Sequence, residues 1–349
     1  MEEVVGEELM QAVVYSAPGE LSLAERPSPS PRVGEVVVEV AALGICGSDL
    51  LIWSGGLERV RPPVTLGHEF SGVVADANDC EGVAEGDRVA VEPLLNCGEC
   101  APCRSGNYNV CVRLGLIGID VDGAAARYVA VQAHRLHKVP DKLPLREAAL
   151  AEPSAVALHM VRRSGVTSAD TVLVLGGGPI GALVSCICRA EGVQHLVVSE
   201  PNASRRELLD SLGFATFNPE TQPLQQLIDA LPGDGFDVSF ELTGVGSALT
   251  TAVEATRVQG TVLLGGLPHA PLPLAVASAV MKELTLRGSR VYRSDDMRVA
   301  LQLLAKGDIP AGRLVTREVS IADGISEAFE VLRDSRDDMK ILIVPSKES

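Results

Sequence analysis

Four cysteines in the run Cys97-x-x-Cys100-x-x-Cys103-x7-Cys111 supply four thiolates at a spacing that closes around one tetrahedral zinc ion. The short gaps demand turns between successive ligands, and Gly98, Pro102 and Gly106 provide turn residues. A second set lies upstream. Cys46 sits in Gly44-Ile45-Cys46-Gly47-Ser48-Asp49, and His68 and Glu69 sit in Gly67-His68-Glu69. Thiolate, imidazole and carboxylate together are the donors expected where a metal keeps one position open for chemistry. Glu152, in Ala151-Glu152-Pro153, is the candidate fourth ligand, because a buried carboxylate needs a partner. Glu69 either binds the metal directly or orients His68. One saturated zinc and one open zinc make two per chain.

A dinucleotide signature follows. Gly176-Gly177-Gly178-Pro179-Ile180-Gly181 reads G-x-G-x-x-G and comes directly after the apolar run Thr171 to Leu175. Gly176 permits a tight turn, and Gly178 lets the backbone approach a pyrophosphate at a helix N-terminus. Gly181 lets that helix pack closely on the sheet. Glu200 ends the next apolar run, 19 residues after Gly181. A carboxylate there binds both ribose hydroxyls and repels a 2′-phosphate, which favours NAD over NADP. Arg205 and Arg206 stand close enough in sequence to hold a phosphate instead. Two metals and a dinucleotide point to a dehydrogenase.

Two kinds of chain texture must position these groups. From Gln11 to about residue 131 short β-like runs recur, at Ala12 to Tyr15, Glu35 to Val40, Phe70 to Ala75, Asp87 to Glu92 and Ala126 to Val131. Such spacing predicts an all-β, barrel-like first domain. Residues 93–115 show little apolar periodicity, so the metal replaces a core there. Leu145 to Arg163 reads as helix interrupted around Glu152-Pro153. After it, strands alternate with helices: Thr171 to Leu175, Ile180 to Ala190, Leu196 to Ser199, Arg205 to Leu212, Asp237 to Leu242, Thr261 to Gly265 and Leu284 to Gly288. That rhythm predicts an α/β, doubly wound parallel sheet. The tail carries helices at Met297 to Lys306 and Ile325 to Asp334 and a strand at Lys340 to Val344, and is expected to return to the first domain. The domains so read are 1–158, 159–294 and the returning 295–349. The first ten residues read as a loose extension.

Bulk properties narrow the function classes. The chain has 349 residues, 46% apolar and 22% charged, with aromatics only 3%. Its cores must therefore be built from Val, Leu, Ala and Ile. A net charge of −16 argues against nucleic acid or an anionic membrane as partner. The acidic start Met1-Glu2-Glu3 is unlike a signal peptide, and no apolar run is long enough to span a bilayer. Five of eight cysteines fit metal motifs, and Cys80, Cys186 and Cys188 read as small buried hydrophobes. A reducing, cytoplasmic compartment fits best. His159 reads as a packed histidine, His134 and His137 as a strand with its turn, and His195 and His269 as loop residues. Trp53 either walls a pocket or packs in the core.

Taken together, these motifs resemble the zinc-containing medium-chain dehydrogenases over about Met10 to Val344. Cys46-Gly47-Ser48-Asp49, Gly67-His68-Glu69 and Ala151-Glu152-Pro153 look like the polyol branch, which includes sorbitol, butanediol, threonine and some cyclitol or amino-sugar dehydrogenases. The resemblance implies a GroES-like catalytic domain plus a Rossmann domain, a homodimer or homotetramer, and a small alcohol or ketone as substrate. It implies that Ser48 takes the alcohol proton and that a hydride passes between a secondary alcohol and NAD. Two positions depart from the pattern. Leu51 stands where many relatives carry a relay histidine, and Val291 stands where sorbitol dehydrogenases carry a substrate-reading arginine. The alternatives are a ketone reductase running in the opposite direction and a non-catalytic, zinc-stabilised nucleotide-binding protein.

Overall fold

The computed structural model describes residues 8–231 and 233–345, so the first seven positions of the expected extension lie outside the described residues. The chain divides into two compact units. Among the described residues the first comprises 8–152, then Met297–Ala305 and 311–345; the second comprises Pro153–Asp296 and Lys306–Pro310. The chain thus changes unit after Glu152, Asp296, Ala305 and Pro310, and the helix Ala151–Ser164 runs into the second unit from Pro153 onward.

Strands of the first unit are β1 (Leu9–Ala17), β2 (Glu20–Pro27), β3 (Glu35–Gly44), β4 (Val64–Thr65), β5 (Glu69–Asp76), β6 (Arg88–Val91), β7 (Leu94–Leu95), β8 (Gly115–Leu116), β9 (Tyr128–Gln132) and β10 (Leu136–Lys138). The second unit holds β11 (Thr171–Leu175), β12 (His195–Ser199), β13 (Ala215–Phe217), β14 (Phe236–Glu241), β15 (Thr256–Leu264) and β16 (Thr285–Gly288). The tail adds β17 (Val315–Ser320) and β18 (Lys340–Val344) to the first unit.

In the first unit the main sheet runs β10-β6-β5-β3-β18-β17, with β9 also on β3, and a smaller sheet runs β2-β1-β4. Strand β3 is its hub. It pairs antiparallel with β5, β9 and β18, and Val36, Val38 and Val40 on one face are buried. They join Phe70, Val74, Val89, Ile341 and Ile343 in one apolar core, as period-2 patterning requires. Trp53 belongs to that core; Phe329 meets it edge-on at 6.3 Å, and the Arg333 guanidinium lies 4.8 Å from its ring centre.

The second unit carries a six-stranded sheet in the order β13-β12-β11-β14-β15-β16, with every pair parallel. Counted from β11, this is the doubly wound order 3-2-1-4-5-6. Residues Val172 to Leu175 are all buried, as expected of a central strand covered on both faces. The helix reading around residue 152 needs correcting. The break falls between Leu145–Ala148 and Ala151–Ser164, and Pro153 lies inside the first turn of the second helix, where its missing N–H costs nothing. His195 is likewise not a loop residue but opens β12. Cys80 is only half-buried, its Sγ 3.5 Å from the Glu35 carbonyl, whereas burial pushes the thiols of Cys186 and Cys188 up to about 11 and about 12.

A buried ion cluster closes the second unit near residue 296. Asp296 accepts from His159 Nδ1 at 3.0 Å, from Arg162 at 2.5 Å and from the Arg293 N–H at 2.9 Å. Burial alone would raise its pKa, but those donors outweigh it and hold the carboxyl below the ordinary aspartate value. A depressed folded-state pKa stabilises the fold fully above the unfolded value of about 3.9, and the stabilisation is lost as pH falls through the lower, folded value. Asp296→Asn should therefore lower the melting temperature at pH 7, and the difference from the parent protein should shrink as pH falls below about 4 and vanish only below the folded-state value. Equal melting temperatures at pH 7 would remove Asp296 from the stability of this unit.

Candidate metal and nucleotide sites

Antiparallel pairing brings the upstream metal candidates together. Gly44, which ends β3, faces Glu69, which opens β5, so Cys46 just beyond one end meets His68 just before the other. The corner is tight. A Cβ on Gly44 would lie 2.6 Å from Glu69 Oε2, and one on Gly67, at φ +99°, would lie 2.6 Å from the Leu43 side chain. The ligand atoms of Cys46, His68 and Glu69 all lie within 4.8 Å of one another. Glu152 is not in that set, although it is buried and close enough to Lys340 to affect its charge.

Neighbours fix each candidate. Asp49, fully buried, accepts from the Cys46 N–H at 2.8 Å and faces His68 Nδ1 at 3.5 Å. It reaches back to the helix Gly47–Trp53 N-terminus as a capping carboxylate does and leaves His68 Nε2 for a metal. Burial would lower the His68 pKa, but Asp49 and Cys46 hold it well above the usual value. Ser48 Oγ lies 3.3 Å from His68 Nε2, a hydroxyl set beside the nitrogen that a metal at this corner would use. Lys340 was not anticipated from the sequence. Its buried ammonium donates to Glu69 Oε2 and to the Ile45 carbonyl. Burial would lower its pKa, but Glu69, Cys46 and Glu152 raise it, so the lysine stays charged. The one sequence signal was a lysine opening the apolar run Lys340 to Val344.

The downstream cysteines converge too. Sγ separations are 3.3 Å for Cys100–Cys103, 3.5 Å for Cys97–Cys111, 3.8 Å for Cys100–Cys111 and 4.0 Å for Cys97–Cys103. Zinc–sulfur bonds of about 2.3 Å at tetrahedral angles require about 3.8 Å. The thiols also compete for protons. The Arg113 side chain holds Cys97 down at about 6, while burial and the neighbouring thiols push Cys103 up to about 11. A dication removes that competition by deprotonating every ligand. The lobe is tied to the barrel strands through Asn96, whose Nδ2 lies 3.8 Å from Cys103 Sγ and whose Oδ1 accepts from Arg135. Arg135 is buried, bonds Glu92 at 2.5 Å and lies 5.5 Å from the Tyr108 ring centre.

In the second unit the glycines occupy three distinct situations. Gly176 has φ +100°, closed to most side chains. A Cβ on Gly181 would sit 1.8 Å from the Gly176 carbonyl oxygen. Gly178 caps the helix Pro179–Ala190, with Pro179 in the first turn, and a Cβ there would meet only the Arg205 guanidinium. Ile180 follows in that turn, so the helix opens at the end of β11 with free N–H groups. Glu200 is buried at the end of β12 and accepts from the Gly177 N–H at 2.7 Å and the Asn202 N–H at 2.8 Å. Its carboxylate thus braces the glycine turn from below. Arg206 turns away, onto the Glu200 and Pro201 carbonyls at 2.8 and 2.6 Å.

Comparison with known proteins decides what carries these sites. The alcohol dehydrogenase GroES-like domain family matches residues 32–141, and the zinc-binding dehydrogenase family matches residues 179–306. The 2-dehydro-3-deoxy-L-galactonate 5-dehydrogenase of Pseudoalteromonas atlantica is 37% identical over 337 residues, covering 96% of this chain and 98% of the relative. The chain belongs to the zinc-containing medium-chain dehydrogenases. Solved structures agree across its length. A zinc-binding dehydrogenase from Sinorhizobium meliloti, bound to NADP, superposes with a TM-score of 0.90 at 31% identity, covering 97% of this chain and all of that one. The 2R,3R-butanediol dehydrogenase of Bacillus subtilis gives 0.90 at 32% identity with the same coverage. The expected architecture, a GroES-like unit with a doubly wound nucleotide-binding unit, is that of the dehydrogenase family. So is the expected chemistry, oxidoreduction of an alcohol or polyol. Among the described residues no helix of the dehydrogenase is long and apolar enough to cross a membrane.

Proposed function

We propose that this dehydrogenase oxidises a secondary hydroxyl of a polyol, sugar or sugar acid with NAD, using one open and one closed zinc site. The supporting observation is the cluster of thiolate, imidazole and carboxylate donors found among the described residues, flanked by Ser48, in a chain that also builds a complete dinucleotide turn. The sugar acid enters through the Pseudoalteromonas relative, whose name is that of an enzyme acting on such a compound. When bound, the metal supplies Lewis acidity toward an alcohol oxygen and the nicotinamide supplies the hydride acceptor. The chain's own residues do the rest. Cys46, His68 and Glu69 hold the metal. Asp49 orients the first two, and Lys340 keeps one Glu69 oxygen occupied. Ser48 receives the alcohol proton. Leu51 cannot carry it onward, so the proton leaves through water. Cys97, Cys100, Cys103 and Cys111 hold the second, structural metal. Glu152 acts here as a buried carboxylate beside Lys340. Metal ligation by reduced thiolates suits a reducing compartment such as the cytoplasm. The homo-oligomer implied by the resemblance belongs to this reading, and light scattering that gives a monomer would remove it.

An absorbance screen at the reduced-nicotinamide band tests the function, with NAD or NADP against sorbitol, xylitol, inositols, butanediol, threonine, amino sugars and aldonates. Turnover of one class with NAD supports the reading. Retention of a single zinc and no turnover with any alcohol or ketone would favour the binding protein instead. The cofactor choice rests on Glu200. A buried carboxylate fixed by two backbone donors at the ribose position cannot step aside for a 2′-phosphate. Glu200→Ala should weaken NAD by about tenfold while narrowing its advantage over NADP. Equal use of both cofactors by the parent enzyme would sink the assignment.

A further inference from the structure

Glu241 ends β14, in register with Leu175 on one side and Leu264 on the other. The strand order reverses between β11 and β14, so this carboxylate stands at the topological switch point, where doubly wound sheets take their ligands. It is only 2% exposed. One oxygen, Oε1, accepts from the Thr243 N–H at 2.7 Å, the Thr243 hydroxyl at 2.5 Å and the Gly244 N–H at 2.9 Å. Its backbone carbonyl accepts from Gly265 and Gly266 at 2.8 and 2.9 Å. A single residue therefore gathers the loop after β14 and the loop after β15.

The two loops are packed without slack. A Cβ on Gly266 would lie 2.2 Å from the Gly244 nitrogen, and one on Gly244 would lie 2.7 Å from the Leu267 carbonyl oxygen. The Thr243 methyl would be 2.9 Å from a Cβ on Gly176, so the β14 loop also rests on the first glycine of the dinucleotide turn. At their tips the loops present Val245 and Leu267, 52% and 79% exposed, to solvent. Apolar side chains held outward on a rigid loop suit the face of a planar ring.

We propose that Glu241 is a positioning residue that shapes the nicotinamide-side wall of the dinucleotide crevice. The inference rests on the nucleotide reading given above. Glu200 marks the adenosine ribose at the end of β12, and Gly176 to Gly181 mark the pyrophosphate at the end of β11. A dinucleotide that continues in the same direction crosses the switch point onto the ends of β14 and β15. Glu241 touches neither half of the nucleotide in this account. It sets where the loops stand, so its loss is felt by one half only.

Calorimetric titration of the full-length protein with NADH and with ADP-ribose, which lacks the nicotinamide, separates the halves. For Glu241→Ala we expect NADH affinity to fall by about tenfold or more while ADP-ribose stays within about threefold. Glu241→Gln should bind both as the parent does, because its amide oxygen can take the three donors that converge on Oε1. If the alanine variant folds poorly, Thr243→Val removes the hydroxyl that donates to Glu241 and accepts from the Val245 N–H at 3.0 Å, and should weaken NADH by about fivefold with ADP-ribose unchanged. Parent-like NADH binding by the alanine or valine variant overturns the inference. Equal loss of both ligands also overturns it, since a merely structural role would produce that. A parent protein that binds neither ligand fails the nucleotide reading itself.

Discussion

Cys46→Ala yields a folded protein that has lost turnover by about a thousandfold or more and retains one zinc instead of two. Folding survives because Cys46 is a half-buried helix-cap residue outside the apolar core, and its N–H keeps the Asp49 carboxylate after the change. The corner that holds His68 and Glu69 is set by the register of β3 on β5 and by Gly44 and Gly67, none of which needs the thiol. Turnover does not survive, because an imidazole and a single carboxylate, one oxygen of which is already engaged by Lys340, leave a metal too few donors. Metal analysis with steady-state kinetics reads both halves of the expectation. Full activity in the variant would end the zinc mechanism; loss of both metals would show that the two sites are not independent.

Cys100→Ala acts on the other site and in the opposite sense. Here melting temperature falls by about 10 °C or more, on a loss of about 4 kcal/mol, whereas intact molecules at low temperature still bind nucleotide. The lobe between residues 96 and 111 has only a four-residue helix and a single 3-10 turn, with Cys111 and Asn109 its buried residues on those pieces. Its cohesion must come from the four thiolates. Through Asn96 the damage reaches Arg135 and Glu92, a buried pair that is costly to leave partly unmade. Thermal scans with and without a chelator give the comparison: the parent protein plus chelator should approach the variant. An unchanged melting temperature would deny the lobe its structural metal.

The second unit was the more legible. Runs such as Thr171 to Leu175 are buried on both faces, so they read as continuous apolar strands, and the glycine turn sits where each glycine has a separate steric reason. What escaped was short or charged. The strand β13 has three residues, and β17, Val-Thr-Arg-Glu-Val-Ser, shows too little alternation to stand out. The break in the helix near residue 152 was misplaced because a proline in a first turn looks like a stop. In the expected helix Ile325 to Asp334, a π-helical stretch Gly324–Phe329 precedes a short α-helix Glu330–Asp334, a change of pitch that no periodicity reveals.

At the metal corner the donors were visible because glycines flank them. Their supports were visible only in part. Asp49 lies three residues from Cys46, near enough to suspect. Lys340 lies 271 positions from Glu69, and nothing local joins them. Glu241 is one acidic residue among many until the strand order puts it between two loops. Contacts of that kind are set by topology, and a single sequence does not display topology.

The ammonium from β18 also fixes when the metal corner can be finished. β18 is the last strand of the described chain, yet it lies against β3, one of the first, and delivers the positive charge that balances Glu69. During synthesis the thiol, imidazole and carboxylate emerge early, and the nucleotide-binding unit is completed between them and their counter-charge. Until the last strand is made, Glu69 therefore lacks the ammonium that it meets in the finished chain. A product cut short before Met339 lacks the strand and the charge together, so incomplete copies cannot assemble this corner as the finished chain does.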